Sequence, residues 1–239
     1  MHIRTILQPL RDFFFPPVCQ SCSLSLSDDE HSVCLACRSS IRSVHENDFT
    51  MQVMERRFRD EKIVGRFFSL YYFQHGGVLQ TMLHQLKYND GTVFGFQLGA
   101  LLGTHLSQQI QNIGHSILIP VPLHLLKERE RGYNQSTIIC KGIASVIGAE
   151  IAPHLVERKK YTISQTTLNA EERKTNVADA FLVSEPAAFK LKGKTCIVVD
   201  DVVTTGSTIS AVAKVLQECG VERIFVASIG VAELDEKEH

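Results

Sequence analysis

The chain has 239 residues, more than one average domain, of which 44% are hydrophobic and 21% are charged. This composition is globular and excludes a disordered, collagen-like or low-complexity chain. The 25 basic and 26 acidic residues leave a net charge of −1, so bulk charge gives no reason to expect a nucleic-acid coat or a membrane-surface protein.

The first predicted element is an amphipathic helix that ends before Pro16 and Pro17. Its apolar residues recur at helical spacing: Ile3, Ile6, Leu7, Leu10, Phe13 and Phe14. We expect it to pack on the next module or domain; an interfacial membrane helix is the alternative, disfavoured because Arg4 and Arg11 are its only polar-side bases. We expect no signal peptide and no membrane span, because no apolar run is long enough.

Two C-x2-C pairs follow, formed by Cys19, Cys22, Cys34 and Cys37. Such knuckles turn four thiolates toward one tetrahedral zinc ion, and a module this small needs the folding energy that a metal supplies. We predict a zinc-ribbon-like module over residues 1–45 with a structural zinc and no open position for catalysis. Four unligated cysteines, or a redox pair, are the alternative. The odd total of seven cysteines argues against a disulfide-bonded secreted protein and favours a cytoplasmic location.

Residues 43–61 are polar and charged, with Arg56, Arg57 and Arg59 close together. We interpret residues 46–65 as a linker or an exposed helix, and residues 66–239 as the larger domain. In that domain, β-branched apolar runs alternate with amphipathic stretches. Strands are predicted at 66–73, 116–121, 195–199 and 224–229, and helices at 77–87, 94–110, 135–147 and 207–219. This alternation predicts an α/β fold with a parallel sheet flanked by helices.

The segment at 198–208 reads VVDDVVTTGST, where a buried strand runs into Asp200 and Asp201 and a helix follows. Ligands of parallel sheets bind beyond the carboxyl ends of the strands. The small and hydroxyl side chains of the turn, together with the backbone N–H groups of the helix N-terminus, suit a monophosphate. Two adjacent carboxylates suit a diol or a hydrated Mg²⁺. The segment therefore predicts a site for a ribose 5-phosphate; an ordinary strand-to-helix turn with an N-cap is the alternative.

This segment resembles the PRPP-binding loop of type I phosphoribosyltransferases, and the chain is similar to the ComF family, which is linked to bacterial DNA uptake. The resemblance covers nearly the full length. Its motifs are residues 14–37 with the four cysteines, 84–88 (HQLKY), 120–123 (PVPL), 131–135 (RGYNQ), Arg158, Gln165, Arg173, residues 176–177 and residues 200–208. One departure is Tyr133, where phenylalanine is common in the family.

The resemblance implies a type I phosphoribosyltransferase-like fold and a role for each matching residue. Asp200, Asp201 and Lys87 would be catalytic, and PRPP with Mg²⁺ would be bound by Lys87, Tyr88, Asp200, Asp201, Val202, Val203, Thr204, Thr205, Gly206, Ser207 and Thr208. A flexible hood would consist of Arg129, Arg131, Gly132, Tyr133, Asn134 and Gln135. Without the family, Lys87 is equally a cation at a helix C-terminus. Likewise, Arg129 and Arg131 are equally part of a solvated charged loop.

Two functions remain open. The first is a phosphoribosyltransferase that displaces pyrophosphate from PRPP with an unidentified acceptor, linked to DNA uptake or nucleotide metabolism. The second is a non-enzymatic accessory protein that binds single-stranded DNA and uses PRPP as a structural or regulatory ligand. Its candidate DNA contacts are Arg56, Arg57, Arg59, Lys62 and Arg66, or Arg158, Lys159, Lys160 and Tyr161; a solvated charged face is the alternative for each run. A competence helicase or DNA-processing protein would be a further partner.

Overall fold

The computed structural model describes residues 17–27, 30, 33–60, 65–86, 91–158 and 180–234. The predicted N-terminal helix, Lys87 and Tyr88, and most of the insert between residues 158 and 181 lie outside the described residues. Within the described part, no helix is both long enough and apolar enough to cross a membrane.

Helices and strands alternate along the chain beyond the cysteines. The helices are α1 (Leu35–Ser39), α2 (Phe49–Asp60), α3 (Val78–Gln85), α4 (Gly91–Gln109), α5 (Leu125–Arg131), α6 (Gln135–Ile147), α7 (Glu185–Leu191) and α8 (Ser207–Glu218), with a short 3-10 turn at Ile113–His115. The strands are β1 (Phe67–Phe73), β2 (Ile117–Pro120), β3 (Glu150–Ile151), β4 (Val156–Arg158), β5 (Phe181–Val183), β6 (Thr195–Val203) and β7 (Arg223–Ala232). These elements confirm the predicted α/β fold.

Among the described residues, a parallel sheet has the strand order β1-β7-β6-β2-β3. Val198 of β6 lies opposite Val226 of β7 and Ile119 of β2, so β6 is central and buried on both faces. Burial on both faces explains the continuous apolar run of this strand. A separate antiparallel pair is formed by β4 and β5, which precede and follow the insert between residues 158 and 181.

Side chains of the central strands alternate between two cores, one on each face of the sheet. Cys196 and Val198 belong to the core that α2 and α8 cover, whereas Ile197 and Val199 belong to the core that α3, α4 and α6 cover. Helix α6 is held tightly against α4, because a Cβ at Gly142 would lie 2.1 Å from the Phe96 carbonyl oxygen. The helix that begins at the carboxyl edge of the sheet is therefore firmly placed.

Helix α2 differs from the expectation of a linker or an exposed helix. Its Met51, Met54 and Phe58 are buried, with 3%, 0% and 4% of their surfaces exposed, and they join the core beneath α8. Arginines and other charged residues occupy the remaining faces, so a polar composition coexists with an apolar stripe.

The two edges of the sheet are covered or short. At one edge, β3 has only two residues. At the other, the segment that leaves α1 runs antiparallel to β1: Tyr72 N–H donates to the Arg42 carbonyl at 2.9 Å, and Val44 N–H donates to the Leu70 carbonyl at 3.0 Å. The cysteine module is thereby joined to the sheet.

Candidate functional site

The candidate site lies at the carboxyl edge of the central strand β6, where the strand turns into α8. Asp200 and Asp201 are half-buried there. Asp200 Oδ1 accepts from the Asp201 backbone N–H at 2.9 Å, and Asp201 Oδ1 accepts from the Val202 N–H at 2.8 Å. Desolvation by burial raises the pKa of Asp200 well above its ordinary value, and the charge of Asp201 raises it further. A bound cation or diol would favour the ionised carboxylate.

Helix α6 supports the first of these acids. The buried hydroxyl of Ser136 donates to Asp200 Oδ1 at 3.2 Å. Asn134 caps the helix, because its Oδ1 accepts from Ser136 N–H at 2.9 Å while its Nδ2 donates to the Val121 carbonyl at 2.9 Å. Val121 in turn donates to the Val199 carbonyl of β6 at 2.9 Å. The sequence motifs PVPL and RGYNQ are thus joined to Asp200 by one hydrogen-bonded path.

The turn between β6 and α8 has the backbone and side-chain features of an anion site. Gly206 has φ +80°, a left-handed conformation that favours glycine, and it is the N-cap of α8. Thr204 and Thr205 are exposed, and the hydroxyls of Thr205 and Ser207 lie 3.0 Å apart. The backbone N–H groups in the first turn of α8 and the dipole of this 12-residue helix both favour negative charge at this position.

Helix α2 forms the back of the same turn. A Cβ at Gly206 would lie 2.9 Å from Phe58 Cε1 and 3.1 Å from Met54 Cε. Beside them, Arg57 Nη1 donates to the Thr205 carbonyl at 2.5 Å. The residues between the cysteines and the sheet therefore touch the predicted phosphate loop directly.

The predicted hood residues fall into two groups. Arg129 and Arg131 lie on α5, and Gly132 ends that helix with φ +78°. Asn134 and Gln135 begin α6 and are buried, with Gln135 Oε1 accepting from Arg131 at 2.7 Å. The burial of these two residues gives them a scaffold role at the helix start, and the hood role of the group stays a prediction.

Tyr133 connects this region to Leu86, the residue that precedes the predicted pyrophosphate residues in the chain. Its hydroxyl donates to the Leu86 carbonyl at 2.6 Å, immediately before the undescribed segment that contains Lys87 and Tyr88. The site roles of Lys87 and Tyr88 remain predictions, because both residues lie outside the described part of the chain.

The four cysteines of the N-terminal module converge. Their Sγ atoms all lie within 4.8 Å of one another, and Cys22 Sγ is 3.7 Å from Cys34 Sγ. With Zn–S bonds near ~2.3 Å, the sulfurs of a tetrahedral site are about 3.8 Å apart. The Cys34 backbone N–H lowers the pKa of Cys19 to about 6, whereas a hydrogen bond with Cys22 raises the pKa of Cys37 to about 12. The chemistry and spacing of this donor set fit a small zinc module.

The module also packs on the larger domain. Cys19, Val33 and Cys34 form a small buried cluster with Met82 of α3. The side chains of Gln85 and Gln20 are hydrogen-bonded next to it. Helix α3 ends at Gln85, so the module packs on the helix that precedes the predicted pyrophosphate residues in the chain.

The basic residues considered for DNA differ in their surroundings. Arg66 pairs with Glu46 at 2.7 Å and stacks on Phe68, and Arg57 donates to the Thr205 carbonyl. Arg56 and Arg59 are exposed on α2. Lys62 and residues 159–161 lie outside the described residues, and the guanidinium of Arg158 stacks on Phe181.

Comparison with protein families assigns the class. Residues 102–235 match the phosphoribosyl transferase domain, which is more than half of the chain and includes β6, its two acids and the turn into α8. The chain therefore belongs to the phosphoribosyl transferase domain family.

Similar proteins narrow this class. The chain is 30% identical over 151 residues to the DNA utilization protein YhgH of Escherichia coli K12, covering 62% of this chain and 65% of that protein. It is 34% identical to Competence protein F of Haemophilus influenzae over 46% of this chain and 47% of that protein. It is 25% identical to Competence protein ComFC of Bacillus subtilis over 85% of this chain and 79% of that protein. The chain thus spans about 65% of the YhgH proteins, and the relatives confirm its resemblance to the ComF family.

Solved structures give only distant similarity. The glutamine PRPP amidotransferase from B. subtilis matches 60% of this chain and 30% of its own, with 17% identity and a TM-score of 0.42. A hypoxanthine phosphoribosyltransferase from Staphylococcus aureus matches 59% of this chain and 68% of its own, with 14% identity and a TM-score of 0.38. The class therefore rests on the family match and the sheet.

Three contacts of the site are not among those predicted from the sequence. Ser136 directly follows the RGYNQ motif. Its position two residues after Asn134, a typical N-cap residue, indicates a place in the first turn of a helix. Met54 and Phe58 belong to an apolar stripe with Met51, at spacings of three and four residues. Nothing in the local sequence around Arg57 indicates its hydrogen bond to Thr205.

Proposed function

We propose that this protein is a ComF-type phosphoribosyltransferase that binds Mg-PRPP at residues 200–208 and transfers the phosphoribosyl group to an acceptor not yet identified. The observation that carries the proposal is the pair Asp200 and Asp201 near the carboxyl end of β6, which ends at Val203 and is followed by a hydroxyl-rich turn onto the N-terminus of α8. The names of the relatives, competence and DNA utilization proteins, support a cellular link to DNA uptake or use.

The parts of PRPP match the parts of this site. Thr204, Thr205, Gly206, Ser207 and Thr208 would hold the 5-phosphate with hydroxyls and backbone N–H groups. The two acids would hold the ribose hydroxyls, and Val202 and Val203 would carry the chain between these two subsites. Lys87, with Tyr88 beside it, would receive the pyrophosphate as a cation.

Mg²⁺ suits the carboxylate oxygens of Asp200 and Asp201. When bound with PRPP, it would neutralise charge that develops on the departing pyrophosphate. The chain's own contribution is to orient the ribose through the Asp200 carboxylate, whose position Ser136 sets. In the transfer, the bond from C1 to the pyrophosphate oxygen breaks with its electron pair leaving on pyrophosphate. A lone pair of the acceptor forms the new bond at C1, and the acceptor's proton passes to bulk water.

We assign a structural zinc ion to Cys19, Cys22, Cys34 and Cys37. Four thiolates leave no open coordination position, so this ion would stabilise the module and take no part in the transfer. Metal analysis of protein purified under reducing conditions should find about one zinc per chain; clearly less would contradict the assignment.

The function is tested by binding first and turnover second. Calorimetry should detect Mg-PRPP binding to the full chain, and Asp200→Ala combined with Asp201→Ala should abolish it. Glu218→Ala, an exposed carboxylate at the far end of α8, is the matched control and should bind normally. Pyrophosphate release from PRPP with cell extract as the acceptor source should depend on the same two acids. Absence of Mg-PRPP binding by the wild-type chain at millimolar ligand would refute the proposal.

A second function is favoured by the exposed Arg56 and Arg59 and by the names of the relatives. In this alternative, the protein binds single-stranded DNA as an accessory factor, with a DNA helicase or processing enzyme as partner, and PRPP serves as a regulatory ligand. Binding through the DNA backbone must weaken as salt rises, with the logarithm of affinity falling linearly with the logarithm of salt. A flat salt response would exclude this role for Arg56 and Arg59. It would also be excluded if the double variant, Arg56→Ala combined with Arg59→Ala, bound single-stranded DNA with the same affinity as wild type.

A further inference from the structure

We propose that α2 is part of the phosphate subsite and that Arg57 is the positioning residue through which it acts. The inference rests on the proposed function, namely that the turn at 204–208 holds the 5-phosphate. Helix α2 (Phe49–Asp60) lies outside residues 102–235, the part of the chain that matches the phosphoribosyl transferase domain. The phosphate subsite would then be completed by a helix that precedes the matched domain.

The first argument is steric. Gly206 lies against α2 so closely that even one added carbon would come within 2.9 Å of the Phe58 ring. Phe58 is itself held, because it packs edge-to-face on Phe67 with ring centroids 5.6 Å apart. Met54 is fully buried beside it. The backbone at the tightest point of the turn therefore rests on a rigid apolar wall.

The second argument concerns the direction of one peptide group. Arg57 Nη1 donates to the Thr205 carbonyl oxygen at 2.5 Å, which turns that carbonyl toward α2. In a trans peptide the carbonyl and the following N–H point in opposite directions, and the described residues contain no cis peptide. The N–H of Gly206 is thereby directed away from α2. Arg57 thus holds the Thr205 carbonyl oxygen, which would repel an anion, away from the site. It also orients the Gly206 N–H, which would attract one.

The third argument is electrostatic. The guanidinium carries a permanent positive charge, and it lies at the same turn as the positive end of the α8 dipole. Arg57 is half-buried, so its charge is less screened than that of its exposed neighbour Arg56. Both fields favour a phosphate dianion on the turn.

Helix α2 is anchored near its start and at its middle, which makes it a support for the turn. Thr50 Oγ1 accepts from the Leu234 N–H, just beyond β7, at 3.1 Å. Glu55 Oε1 accepts from the Phe67 N–H at the start of β1 at 3.2 Å. Movement of α2 away from the turn would break one bond to β1 and one to the segment that follows β7.

The test separates the two ends of the ligand. Calorimetry on the full chain would measure ribose 5-phosphate, Mg-pyrophosphate and Mg-PRPP for wild type, Arg57→Ala, Arg57→Lys and the control Arg56→Ala. Arg57→Ala should weaken ribose 5-phosphate and Mg-PRPP by about 10-fold, as expected for one charge-assisted hydrogen bond, and leave Mg-pyrophosphate within about twofold. Arg57→Lys should recover most of the loss, and Arg56→Ala should match wild type.

The outcomes decide between the two proposals. Equal affinities of Arg57→Ala and Arg56→Ala for ribose 5-phosphate would overturn the role of Arg57, as would an equal loss for ribose 5-phosphate and Mg-pyrophosphate. Failure of the wild-type chain to bind Mg-PRPP would instead refute the proposed function. If Arg57→Ala does not fold, Arg57→Gln keeps an N–H donor without the charge, and a ribose 5-phosphate affinity equal to wild type would overturn the electrostatic argument.

Discussion

Replacing Gly206 with alanine tests how tightly α2 packs behind the turn between β6 and α8. The residue has φ +80°, where an L-amino acid costs roughly 1–2 kcal/mol. The added methyl would also lie 2.9 Å from Phe58 Cε1 and 3.1 Å from Met54 Cε, and overpacking of this kind costs about 1–3 kcal/mol. We expect Gly206→Ala to lower the free energy of unfolding by about 2–5 kcal/mol.

Gly148→Ala is the matched control for this substitution. Gly148 has φ +71° at the end of α6, and no atom lies within 4 Å of its added methyl. Its cost should therefore be the left-handed conformation alone, about 1–2 kcal/mol. Urea unfolding of wild type and both variants, all prepared with the same amount of bound zinc, measures the difference between the two losses in free energy of unfolding.

A double-mutant cycle with Phe58→Leu identifies the source of that difference. A smaller side chain at residue 58 makes room for the methyl, so Gly206→Ala should cost less in the Phe58→Leu background than in wild type. Equal destabilisation by Gly206→Ala and Gly148→Ala, together with additivity in the cycle, would refute close packing of α2 on the turn.

Three further predictions concern charge, metal and capping. Burial raises the pKa of Asp200, so the stability that its bound proton provides is lost as pH rises through that pKa. Asp200→Asn keeps Oδ1 as an acceptor and should therefore raise Tm at neutral pH but not at acid pH. The same variant should abolish Mg-PRPP binding in calorimetry. Removing zinc with a chelator, or Cys22→Ser, should unfold the N-terminal module, seen as faster proteolysis before residue 45 with α2 and β6 protected. Asn134→Ala should cost about 1–3 kcal/mol in urea unfolding, because it removes a helix cap and leaves the buried Val121 carbonyl with one partner fewer; a cost near zero would contradict this contribution.

The alternating elements could be predicted because their patterns are local. A strand buried on both faces reads as an unbroken apolar run, as in residues 195–199, and the amphipathic stretch at 207–219 shows its buried face at helical spacing. The sequence prediction ended β6 early, at Val199, because Asp200 and Asp201 are polar. The structure continues the strand through both acids to Val203.

The contacts between distant segments could not be predicted in the same way. Ser136 meets Asp200 across 64 positions, and Arg57 meets Thr205 across 148. Such pairs depend on strand order and helix placement, which no local pattern encodes. Around Arg57 the abundance of charge also concealed the stripe of Met51, Met54 and Phe58, since three apolar residues on one face are enough to bury a helix of this length.

The segment from Arg42 to Val44 has a consequence for solubility. An uncovered edge strand offers a row of unpaired N–H and carbonyl groups that a second chain can extend, and this is a common route to aggregation. Here β3 is too short to offer such a row, and β1 is covered by the antiparallel segment that arrives from the cysteines. The segment from Arg42 to Val44 therefore covers the longer of the two sheet edges. A chain shortened to begin at residue 66 would expose the backbone groups of β1 to other protein molecules.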